Sequence, residues 1–60
     1  MRYGEIYKLG LSKGDWTSLA KSDGYHLYQV ITKDGATHEV VTVNLYGEDL
    51  IVEVDEEKVW

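Results

Sequence analysis

Between Tyr25 and Val54 the chain is written almost entirely in β-hairpin grammar: YHLYQVIT, then KDG, then ATHEVVTVNL, then YGED, then LIVEV. β-Branched and aromatic residues fill the runs, and Gly, Asp and Asn cluster between them, which is the pattern of strands joined by tight turns. Half of the 60 residues therefore belong to one three-stranded antiparallel meander. A meander with so little chain around it has one common outcome, a small curled barrel or sandwich.

The turns set the pairing. Lys33-Asp34-Gly35 fits a three-residue hairpin loop in which Gly35 supplies a positive φ. That loop places Val30 opposite His38, Tyr28 opposite Val40 and His26 opposite Thr42 on one face. The other face pairs Tyr25 with Val43, Leu27 with Val41, Gln29 with Glu39 and Ile31 with Thr37. Reading Tyr46-Gly47-Glu48-Asp49 as the next turn puts Leu45 opposite Leu50, Val43 opposite Val52 and Val41 opposite Val54. One face then collects Leu27, Ile31, Val41, Val43, Leu45, Leu50, Val52 and Val54, all apolar, and is the expected core.

The same alternation turns Tyr28, Val30, Val40 and Ile51 outward, a patch too apolar for bare solvent. Two readings of it stay open. Trp16 and Leu19 fold back to cover it, or it meets a partner protein or a second copy of the chain with Tyr28 as the aromatic anchor. The candidate interaction residues are thus Trp16, Tyr28, Val30, Val40 and Ile51.

Outside the meander the pattern weakens. Arg2 to Leu11 reads as a first strand, with Tyr3, Tyr7, Leu9 and Leu11 on one parity and Gly4 and Gly10 marking bends. Ser12 to Gly24 reads either as a long irregular loop or as a single helical turn, WTSLAK, capped by Asp15. Ser22-Asp23-Gly24 closes that segment as a turn. Asp55 to Lys58 reads as one tight turn delivering Val59 and Trp60 as a last short strand.

The order of strand, long loop, three-strand meander, turn and short strand resembles the SH3-like small barrels, and the VEVDEEKV ending is similar to their last hairpin and terminal strand. The resemblance covers most of the chain and is one of topology. It implies an all-β, five-stranded antiparallel barrel spanning residues 1–60 as a single domain, with a long first loop. It does not extend to proline-peptide recognition: strand 1 ends KLGLSKGDW rather than in an ALYDY-like stretch, and the chain has no proline. An OB-like barrel is the structural alternative.

Composition narrows the function. With no cysteine, disulfides, thiolate zinc sites and thiol nucleophiles are all removed. Five Tyr and two Trp supply large apolar area to a core that a chain of this length builds with difficulty. The net charge of −5 is unevenly placed: residues 1–24 carry four basic and three acidic side chains, residues 25–60 two basic and eight acidic. Phosphate binding needs the opposite balance, so nucleic acid is not expected as a partner. No apolar run is long enough to span a membrane and the start lacks a signal-peptide stretch, so a soluble cytoplasmic protein is the expectation.

No nucleophile elbow, HExxH, P-loop or GxGxxG occurs. By the expected register His26 and His38 lie roughly 13 Å apart, too far to share a metal. No enzyme activity, cofactor or small-molecule substrate is expected. The leading reading is a non-catalytic small barrel that binds protein, in the manner of a small acidic phage-type protein docking on a host factor. The absence of Pro, Cys and Phe together with a closing Trp60 also suits a designed barrel scaffold without an evolved function.

Overall fold

The computed structural model describes residues 3–59. Its elements are α1 (Tyr3–Leu9), a 3₁₀ turn (Leu11–Lys13), β1 (Asp15–Ser22), β2 (Tyr25–Ile31), β3 (Thr37–Leu45), β4 (Glu48–Val54) and β5 (Glu57–Lys58). The five strands form one antiparallel sheet in chain order. β1 and β5 stand at opposite edges, so the sheet is not closed into a barrel.

Within the segment expected to be the first strand, Tyr3–Leu9 is helical, and Arg2 lies outside the described residues. As a strand it would send Ile6 to the face opposite Leu9 and Leu11; a helix brings Ile6 and Leu9, three residues apart, onto one side. Ile6 and Leu11 are buried, whereas Tyr7, one of the residues chosen by strand parity, is 83% exposed. Glu5 in the first turn and Lys8 in the last suit the helix dipole. Gly4 lies within the helix, and Gly10, at φ 71°, ends it in the left-handed region. Seven residues cannot hold a helix alone in water, so α1 exists because it is docked.

The segment expected as a loop or helical turn is β1. It pairs with β2 from Asp15 opposite Ile31 to Ser22 opposite Tyr25, with a bulge at Leu19 between Ser18 and Ala20. All eight residues of β1 are exposed. An edge strand of this kind is held by its ladder to β2 rather than by burial, and DWTSLAKS accordingly lacks a clear period-two pattern.

The β2–β3 register is the one expected, pair for pair from Tyr25–Val43 to Ile31–Thr37. Its loop closes with the Gly35 N–H donating to the Thr32 carbonyl and the Thr32 N–H to the Ala36 carbonyl, both at 2.9 Å, with Gly35 at φ 88°. The β3–β4 register differs. The turn is only Tyr46-Gly47, at φ 54° and 81°, the two left-handed positions of a type I′ hairpin. Leu45 therefore faces Glu48, and Val43 faces Leu50. A bulge at Val52 then shifts the parity of the strand, so Val54 pairs with Val40 instead of Val41. A second two-residue turn, Asp55-Glu56 at φ 50° and 67°, leads into β5. Val59 follows β5 and its N–H donates to the Val52 carbonyl at 2.9 Å; Trp60 lies outside the described residues.

The two faces of the sheet are reversed relative to expectation. Val30, Val40 and Val54 are wholly buried beneath Ile6 and Leu11, with Leu9, Tyr28, Ile51 and Val59 packed around them. Of these only Val54 belongs to the face expected as the core. Leu27, Val41, Val43, Leu50 and Val52 are half-buried on the far side, and Ile31 and Leu45 are exposed there. Alternation separates a strand into two faces without saying which is covered, and here α1 decides it.

Gly14 allows the approach. A Cβ at this position would stand 2.8 Å from both the Ile31 carbonyl oxygen and Val30 Cγ1, so the chain entering β1 lies directly against β2. Two outcomes follow for urea denaturation. Val40→Ala lowers stability by about 1–3 kcal/mol through lost burial and a residual cavity, and Val43→Ala by clearly less. Gly14→Ala is also destabilising, because backbone must move to admit the methyl group. A larger loss at Val43 than at Val40 would restore the opposite face as the core.

Candidate functional site

On the α1 side the helix covers Val30, Val40 and Val54, and the sheet surface beyond it forms a cleft. Trp16 on β1, Tyr28 on β2, Thr42 on β3, and Asp49 and Ile51 on β4 line a cavity of about 390 Å³. The pairing explains the gathering: Ser18 faces Tyr28, His26 faces Thr42, and Thr42 faces Ile51, so these side chains share one face. Trp16 and Tyr28 meet edge to face, centroids 5.2 Å apart at 75°. The Trp16 indole Nε1–H donates to the Leu11 carbonyl at 2.8 Å, tying the ring to the start of the chain.

Tyr28 also stacks on His26, centroids 4.0 Å apart at 23°. Its hydroxyl lies 2.9 Å from His26 Nδ1, and Ser18 Oγ lies 2.5 Å from His26 Nε2. A neutral imidazole offers one donor and one acceptor, and the two hydroxyls use both. Beside this row Thr42 is only 4% exposed and its hydroxyl has no hydrogen-bond partner. Asp49 is exposed, with Oδ1 accepting from Asn44 Nδ2 at 3.1 Å.

Of the residues singled out by sequence, Trp16, Tyr28 and Ile51 are thus brought together, at a cleft rather than on an open patch. Val30 and Val40 are core, with no surface to offer. Trp16 does cover Tyr28 from the edge, while Leu19 is 51% exposed at the β1 bulge. Thr42 and Asp49 were missed. Thr42 was visible as the partner of His26, but Asp49 had been assigned to a turn that ends two residues earlier.

The far side of the sheet is the second candidate. Leu19, Tyr25, Ile31 and Leu45 are exposed there beside the half-buried Leu27, Val41, Val43, Leu50 and Val52. Pairing places Asp15, Glu39, Glu48 and Glu53 on the same face, with Lys58 opposite Glu53.

His38 and Asp55 tie β3 to the last turn. His38 Nδ1 lies 2.6 Å from Asp55 Oδ2, while the Glu39 N–H donates to Asp55 Oδ1 at 3.0 Å. Burial pushes the Asp55 carboxyl up, but the His38 contact and the Glu39 N–H together outweigh it and leave the group below its ordinary 3.8. Asp34 is also held below 3.8, by the Thr32 hydroxyl first and then by the Ala36 N–H. Among the described residues no group of three or more His, Cys, Asp or Glu is arranged to hold a metal ion, and no helix is long and apolar enough to cross a membrane. No family model matches the chain, and no curated protein or solved structure is significantly similar to it.

The two depressed carboxyls fix the sign of the acid response. A group with a folded pKa below its unfolded value adds stability above the unfolded value and loses it as pH falls through the folded one. Asp55→Asn is therefore less stable than the parent chain at neutral pH, and the gap narrows as pH drops below about 3.8. Urea midpoints measured from pH 7 to pH 2 check this; a gap that stays constant over that range contradicts it.

Proposed function

We propose that this chain is a non-catalytic interaction module that binds another protein through the open face of its sheet. One observation carries the reading: the face richer in large apolar side chains is the one α1 leaves uncovered. Contiguous exposed apolar patches on monomers are rarely more than a few hundred Å² unless they serve recognition. Here Tyr25 is 57% exposed, Leu19 51%, Leu45 47% and Ile31 44%, around a floor of half-buried Leu27, Val41, Val43, Leu50 and Val52.

Charge supports a particular kind of partner. Asp15, Glu39, Glu48 and Glu53 flank this face against Lys58, in a chain of net charge −5. A surface with an apolar centre and basic flanks complements it, whereas a second copy would set acid against acid. The same charge disfavours single-stranded nucleic acid stacked on the tyrosines. The likeness to SH3-like barrels enters only as scale, a small antiparallel sheet offering one side-chain face, and proline-peptide recognition forms no part of it.

The Ser18–His26–Tyr28 row does not argue for catalysis. Its third member is a phenol rather than a carboxylate.

A titration with a model partner tests the proposal. An amphipathic helical peptide of Leu and Lys should shift the backbone NMR signals of Leu27, Val41 and Val43, with affinity falling as salt rises, and its Leu/Glu counterpart should not. The Tyr25→Lys/Ile31→Lys variant, verified as folded by circular dichroism, should lose the effect. Equal response to both peptides, or shifts confined to α1, would refute the reading, and light scattering of the free chain reports any second copy on this face.

A further inference from the structure

The α1-side cleft lies on the opposite side of the sheet from the open face. Its aromatic walls are fixed in advance: Trp16 is tethered to the Leu11 carbonyl at 2.8 Å, and Tyr28 is clamped between Trp16 and the stacked His26 ring. Trp16 remains 37% exposed, and an aromatic face carries the negative part of the ring quadrupole and attracts cations. Asp49 stands on the same cavity, with its carboxylate exposed and, among the described residues, in ion-pair contact with no cation. Thr42 lies between them, and its buried hydroxyl lacks a partner.

These groups ask for the same chemistry. The Trp16 ring favours positive charge, and the Asp49 carboxylate a charged N–H donor. Ile51 and the ring edges provide apolar contact for a stem behind the charged head. An anion is repelled by Asp49, and a wholly apolar guest leaves Asp49 unserved. We propose that this cleft is a receptor for one basic side chain of a partner protein, an arginine guanidinium or lysine ammonium.

The site has a built-in competitor. Lys21 lines the adjoining stretch of the cleft with His26, Thr42, Asn44 and Asp49, so its charge opposes the guest. Removing it should strengthen binding, whereas removing Asp49 should weaken it. Neither change touches the open face, so this inference and the proposed function succeed or fail separately.

N-acetyl-arginine amide and its neutral near-isostere N-acetyl-citrulline amide provide the test. They are titrated against the Trp60→Phe chain while the Trp16 indole N–H signal is followed by NMR. The arginine compound should bind in the millimolar range, as expected for a ligand of this size, and roughly fivefold or more tightly than citrulline. Asp49→Asn, confirmed as folded by circular dichroism, should bring arginine down to the citrulline level, and Lys21→Ala should tighten it. Equal affinity for the two compounds overturns the proposal. So does arginine binding unchanged by Asp49→Asn, or no response to either compound at tens of millimolar.

Discussion

The length of α1 governs most of what is unusual in this molecule. Seven helical residues span about 10 Å, while the nine residues of β3 run about 30 Å. Ile6 and Leu11 can therefore bury Val30, Val40 and Val54 and little else. Fully burying such side chains contributes roughly 1.5–3 kcal/mol each, and this one patch must offset the ordering of the whole sheet. The close approach at Gly14 and the Trp16 hydrogen bond to Leu11 hold the short cover in place. Where the cover ends, the α1 side becomes a cleft, and among the described residues no element covers the far side.

The meander was legible because its signals are local. KDG specified a loop length and a left-handed glycine, and the β2–β3 register followed without error. YGED was harder. A type I′ turn places its first residue at positive φ, a conformation costly for a residue with a Cβ, so Tyr46 gave no sign of occupying it. The reading slid by two residues as a result, and a bulge at Val52 then moved Val54 across the sheet. No composition signal marks that bulge, since Val52 is as good a strand residue as its neighbours.

The larger misreading was the choice of face, and it came from the N-terminal segment. Tyr3, Tyr7, Leu9 and Leu11 suggested a strand, and that pattern passed over Ile6, the residue that anchors α1. Helical spacing of Ile6 and Leu9 was present in the sequence, but a one- or two-turn helix gives too few repeats to outweigh a competing alternation. Without α1, the more apolar face was the natural core, and Trp16, Tyr28, Val30, Val40 and Ile51 were left as a surface patch. Three of those five do border one cleft, because cross-strand neighbours remain neighbours whichever face is covered.

The reversal makes the fold informative about recognition. A sheet with two apolar faces and one short helix has a choice, and covering Val30, Val40 and Val54 leaves the larger apolar surface in water. Local constraints favour that choice. Gly14 enters β1 pressed against Val30 and Ile31, and the 3₁₀ turn at Leu11–Lys13 leaves the preceding helix on the Val30 side. A helix crossing to the far side would need a longer connection than Gly10 to Gly14 provides. Chain connectivity thus overrides the burial preference of the two faces, and the unburied side chains remain available. Acidic residues beside them, Asp15, Glu39, Glu48 and Glu53, would set like charge against like if two copies met through this face.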